Sequence, residues 1–109
     1  MKRGEVWTVS GGPGYADKPR PALIVQGNLY ALDQSATICG FTTDPTEARF
    51  SRPLIEPTVD NGLAHPSRVM TDKITTVPRA RLGKCIGFLS DDDVISVDRA
   101  LLVFLGLAG

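Results

Sequence analysis

A chain of 109 residues, 42% hydrophobic and 22% charged, is long enough for one hydrophobic core and ordinary enough in composition to fold around it. Its formal net charge of zero argues against a strongly cationic duplex binder, and no apolar run approaches the roughly 20 residues that span a bilayer. Two cysteines and one histidine are too few for a zinc site of the usual ligand count, so no metal or other cofactor is expected.

Met1-Lys2-Arg3 is followed by Gly4-Glu5, where a signal peptide would begin its apolar stretch. The chain is therefore expected to work in the cytoplasm, as a single domain over 1–109. The zero net charge hides an asymmetry. Asp91, Asp92, Asp93 and Asp98 lie near the C-terminus, leaving eleven bases and eight acids over residues 1–90. A local basic groove fits that imbalance.

Glu5-Val6-Trp7-Thr8-Val9 has the β-branched and aromatic content of a first strand. Residues 10–14 form a glycine- and proline-rich loop. It lacks the Gly-Lys-Ser/Thr ending of a phosphate-binding loop and leads into a strand, so it reads as a flap beside a site. Residues 22–25 and 37–41 are short apolar runs suited to buried strands, and Pro21 suits the start of the first. Asp44-Pro45-Thr46-Glu47 is a helix-start pattern, with Asp at the N-cap, Pro at N1 and Glu at N3. Pro53 limits that helix to a turn or two.

Leu54-Ile55 begins another strand, Asp60-Asn61-Gly62 has the residues of a tight reversal, and 67–71 is the returning strand. Thr75-Thr76-Val77-Pro78 closes it, and 84–88 forms the last strand. Short strands joined by glycine and proline turns predict a small antiparallel β-barrel. From Ser90, an N-cap followed by three aspartates, Val94, Val97, Leu101 and Phe104 recur at helical spacing up to Gly106. Leu102, Val103 and Leu105 widen that stripe beyond the needs of one small barrel; the helix is either well buried in the domain's own core or also forms a subunit interface. Cys39 and Cys85 sit inside apolar runs and read as small core residues.

Arg20 stands at the mouth of one buried strand and Thr42-Thr43 at the exit of the next. If the strands are neighbours, these polar groups meet at one end of a rigid sheet. A guanidinium offers five donors in a fork that matches phosphate oxygens, and a threonine hydroxyl can bond a phosphate oxygen or the group attacking it. Together they could stabilise a charged phosphorane. The single histidine, His65, falls in a turn-rich stretch before Pro66, and no nucleophile elbow frames Ser67.

The same residues carry a family pattern. Arg3-Gly4-Glu5-Val6-Trp7, Arg20-Pro21-Ala22-Leu23-Ile24-Val25 and the apolar strand ending in Thr42 resemble, in order, the MazF/PemK toxins. Residues 69–77, then Leu82, Ile86-Gly87 and Leu89-Ser90, match the second half. Val97-Asp98-Arg99-Ala100-Leu101 and Leu105-Gly106-Leu107 look like the final helix. The resemblance implies an SH3-like barrel with a C-terminal helix and a short inserted helix. It further implies a homodimeric, sequence-specific endoribonuclease that cleaves single-stranded RNA through the substrate's own 2′-hydroxyl, without metal, and is blocked by an antitoxin. Arg20 and Thr42 map to the catalytic pair and Asp72 to an aspartate some members add, here a candidate proton acceptor.

Tyr15, Lys18, Thr43 and Lys73 are the expected RNA contacts; Tyr15 offers a ring on which a base can stack. Two family contacts have no counterpart: Met70 stands where an arginine would precede the aspartate, and the glycine-rich loop lacks a histidine. A gyrase-poisoning toxin of the CcdB type shares the barrel and resembles Met70-Thr71-Asp72 and the end of the helix. It would bind a topoisomerase and cut nothing, as would a barrel that only binds partners.

Overall fold

Strands form where the β-branched and aliphatic runs fall. The computed structural model describes residues 1–11, 18–45 and 52–108. Seven strands, β1 (Glu5–Val9), β2 (Arg20–Ile24), β3 (Ser35–Thr42), β4 (Leu54–Ile55), β5 (Ser67–Val69), β6 (Thr75–Pro78) and β7 (Leu82–Phe88), precede one helix, α1 (Asp91–Phe104). They make a curled antiparallel sheet in the order β4-β5-β3-β2-β1-β7, with β6 also paired to β3. The fold is mainly β, a barrel-like sheet with one covering helix, as the turn and strand pattern predicts. The expected inserted helix, beginning at Asp44-Pro45, lies mostly outside the described residues, as does most of the 10–14 loop.

β3 is the axis of the sheet. Its first half pairs with β6, Ala36 opposite Val77, and its last two residues pair with β5, Phe41 opposite Val69. Its other edge carries β2, with Ala22 opposite Gly40 and Ile24 opposite Ile38. Side chains alternate across a strand, so each strand divides its residues between two faces. Val6, Leu23, Val25 and Cys39 enter one cluster with Val97 and Leu101 of α1. Ala22, Ile24, Ala36 and Ile38 form a second cluster on the opposite face, edged by Trp7, Val9, Val77 and Leu82. Only the first face is roofed by α1.

The helix begins and ends on local chemistry. Ser90 Oγ accepts from the Asp93 N–H at 3.2 Å, satisfying one of the helix's orphan donors. At the other end Gly106 has φ +74°, and Leu107 N–H bonds Leu102 O while Gly106 N–H bonds Val103 O. That pair of bonds is the left-handed glycine stop.

Several boundaries differ from expectation, each for a tertiary reason. Arg20 and Pro21 lie inside β2, because β1 pairs with it as far as Val9 opposite Arg20. The 67–71 strand stops at Val69, and Thr71–Lys73 turns as a short 3-10 segment that delivers the chain to β6. The 60–62 reversal does more than join strands. Asn61 is buried, with its side chain bonded to Thr58 N, Leu63 N and Glu56 O, and Asp60 O accepts from Phe88 N on β7. A side chain at Gly87 would strike Asp60 O, so only glycine admits that crossing. Cys39 is fully buried, but Cys85 is exposed, which corrects its reading as a core residue. β7 is the sheet's edge, and Cys85 lies opposite Trp7 on the face that α1 does not cover.

Candidate functional site

The register of β2 and β3 builds the site. Ala22 faces Gly40, the outermost pair of the two strands; Arg20 on β2 and Thr42 on β3 each lie two residues further out. Alternation puts both on the face away from α1, in line with Ala22, Ile38 and Gly40. Thr42 Oγ1 accepts from the Asp44 N–H at 3.1 Å, which orients the hydroxyl and leaves its proton to donate outward.

Beside Arg20 this face hollows into a pocket of about 340 Å³. Val9, Ala22, Ile38 and Val77 make an apolar floor, and Arg20, Lys73 and Arg81 bring cations to the lining. Among the described residues, no carboxylate lines it. Met70 lies across the strand here: a Cβ added at Gly40 would stand 3.0 Å from Met70 Cε, so glycine leaves room for that side chain. Trp7 belongs to the same face, its indole N–H donating to Glu5 Oε1 at 3.1 Å. Burial pushes the Glu5 carboxyl up, but the Lys2 N–H and the Trp7 indole outweigh it and hold the carboxyl below its usual 4.5.

Arg20 and Lys73 line the pocket; Thr42 ends β3 and Thr43 follows it, neither being among the lining residues. Lys18 is exposed two residues before Arg20, and Tyr15 lies outside the described residues. Asp72 is turned to another task. Both its oxygens accept from Arg52, Nε to Oδ1 at 2.8 Å and Nη2 to Oδ2 at 2.9 Å, and the Arg52 side chain is only 2% exposed. Cys39, next to Gly40, points to the helix side; burial and then the Asp72 charge push its thiol up to about 12, so it is no nucleophile at neutral pH. Among the described residues no three His, Cys, Asp or Glu side chains converge as a metal would need.

Two arginines were missed in the sequence. Arg68 is the β5 partner of Thr42, with its Nη1 donating to Arg52 O at 2.9 Å. Strand alternation through Ser67-Arg68-Val69 could have flagged it, because it puts Arg68 on the face opposite buried Val69. Arg81 had no such signal, since 79–81 reads only as a turn.

A curled β-sheet with one covering helix and a pocket on its open face lined by Arg20, Lys73 and Arg81 defines a small barrel suited to an anionic chain. The model of the PemK-like, MazF-like toxin of type II toxin–antitoxin systems matches residues 2–105. A probable endoribonuclease MazF of Mycolicibacterium smegmatis is 46% identical over 109 residues, covering 100% of both chains. The chain belongs to the PemK-like, MazF-like toxin family. The solved structures agree on the fold. An endoribonuclease in complex with its cognate antitoxin from a mycobacterial species superposes with a TM-score of 0.83 at 24% identity, over 100% of this chain and 98% of that one. Mycobacterium tuberculosis toxin MazF-mt6 gives 0.80 at 24% identity, over 96% and 99%. A MazE–MazF crystal structure from Deinococcus radiodurans gives 0.77 at 17% identity, over 99% and 98%.

Proposed function

We propose that this chain is the toxin of a type II toxin–antitoxin pair, an endoribonuclease acting on single-stranded RNA in the cytoplasm. The observation that carries the reading is that, in a family member, Arg20 lines a cationic pocket on the open face next to the end of β3 that bears Thr42. In the reaction the 2′-oxygen of the substrate bonds the adjacent phosphorus, the bond to the 5′-oxygen breaks, and a cyclic phosphate and a 5′-hydroxyl result. The 2′-proton is lost and the leaving oxygen gains one. This chemistry uses the substrate's own nucleophile and needs no metal.

Arg20 stabilises the charge that builds on the phosphorane oxygens. A guanidinium holds its proton too tightly to be a good general acid near neutrality, whereas a fixed donor at such a site is worth about 3–4 kcal/mol. Thr42 donates its free proton to a phosphate oxygen. Lys73, Lys18 and Thr43 hold the strand at the pocket's edge, and Tyr15 is assigned to stack a base. Asp72, held by Arg52, serves to position the 71–73 turn and hence Lys73.

The exposed side of α1 supports a homodimer. Ile95, Leu102, Val103, Phe104 and Leu105 are each 41–50% exposed, a larger apolar stripe than a lone helix in water favours. An antitoxin would inhibit by covering the open face. Incubating purified protein with a long mixed-sequence RNA in excess chelator, and mapping new 5′ ends, tests the whole reading. Discrete cuts are expected, and Arg20→Ala is expected to lower their rate by about 10²–10³-fold with an unchanged melting temperature. Near-wild-type cutting by Arg20→Ala would sink its assignment. No cuts at all, with growth inhibition retained, would favour the topoisomerase-binding reading.

A further inference from the structure

Most of the described arginines are already spoken for. Arg3 binds Asp98 and Val25 O, Arg52 binds Asp72, Arg68 binds Arg52 O, and Arg79 binds Ala31 O and Asp33 O. Arg20 and Arg81 are exposed, line the same pocket, and make no side-chain hydrogen bond or ion pair among the described residues. One of these is already assigned to the scissile phosphate. The other has no task.

Arg81 is nevertheless firmly placed. Its carbonyl accepts from both Ser10 N, at 2.9 Å, and Ser10 Oγ, at 3.3 Å. The next residue, Leu82, is opposite Val9, and Val9 is opposite Arg20. Arg20 and Arg81 are thus separated by two strand spacings, roughly 10 Å of backbone, with the apolar floor between them. A guanidinium fork fits phosphate oxygens, and an apolar floor suits the face of a base.

We propose that Arg81 forms a second phosphate subsite, gripping a non-scissile phosphate of the RNA and so positioning the strand for Arg20. The proposal rests on the ribonuclease reading. Arg81 is a positioning residue here, since it acts on the reacting phosphate only through the strand it holds. Its loss therefore raises KM and leaves kcat little changed, whereas loss of Arg20 lowers kcat.

The test uses the full chain and a single-stranded RNA containing the mapped cut site, with a 2′-deoxy sugar there so that it binds uncut. By fluorescence anisotropy, Arg81→Ala is expected to bind about ten- to a hundredfold more weakly. The slope of log affinity against log salt is expected to fall by about 0.7, the value of one single-strand phosphate contact. Arg81→Lys, which keeps the charge but not the fork, should recover the salt slope and remain weaker than wild type. Replacing phosphates one at a time with neutral methylphosphonate should reveal one non-scissile position that weakens the wild type and leaves Arg81→Ala unaffected. Equal losses in both proteins at every position would overturn the subsite, as would Arg81→Ala binding like wild type. A protein that cuts RNA with Arg81→Ala indistinguishable loses only this proposal; one that neither binds nor cuts RNA loses both. A protein that binds without cutting loses the ribonuclease reading, and the methylphosphonate comparison still decides Arg81.

Discussion

Residue type alone does not say what an arginine does; its acceptors do. Arg52, 2% exposed and forked onto Asp72, is part of the framework, whereas Arg20 is exposed and unbonded among the described residues. Arg20 was legible in the sequence because it opens an apolar run beside a proline, a place where a strand must begin. The Arg52–Asp72 pair was not, because nothing local links residues twenty positions apart. The cysteines carry the same lesson. Both sit in apolar runs, yet only Cys39 has the helix-covered side of the sheet behind it. A thiol reagent at neutral pH is expected to modify the native protein once, at Cys85, and twice after denaturation, as counted by mass spectrometry. Rapid native labelling of Cys39 would contradict its burial and its raised pKa.

At the scale of elements, the strands were readable because alternation and turn chemistry are local, and α1 because its cap, apolar stripe and terminal glycine agree. The 71–73 turn was not. Its position depends on Arg52 reaching back across the sheet, and Lys73 enters the pocket by way of that turn. Removing the carboxylate takes two charge-assisted hydrogen bonds from a buried guanidinium. Asp72→Ala is therefore expected to cost about 3–5 kcal/mol, read as a lowered midpoint in chemical denaturation. A loss below 1 kcal/mol would show that the pair is not structural. Register explains the rest of the proposed site: the antiparallel pairing of β2 with β3 brings the start of one strand, with Arg20, to the end of the other, with Thr42, and neither run shows this alone.

The whole molecule presents two unlike surfaces. One side of the sheet is closed by α1, and the other holds the pocket and its cations. The outer flank of α1, with Phe104 46% and Leu105 50% exposed, is the side the monomer leaves uncovered. Phe104→Lys removes apolar area there while placing a cation near the helix C-terminus, where the dipole favours it. Sedimentation is expected to give a dimer for the wild type and a monomer for this variant. A monomeric wild type at micromolar concentration would refute the dimer.

The pairing of β2 with β3 also sets where the gene can tolerate change in length. The loop joining them lies at the far end of both strands from Arg20 and Thr42. Residues gained or lost in that loop leave the pair's alignment intact. A single residue inserted into either strand between loop and pair turns one partner to the helix side. On the proposed reading, such an insertion disarms the protein as fully as deleting the arginine, while nearly all of its composition survives.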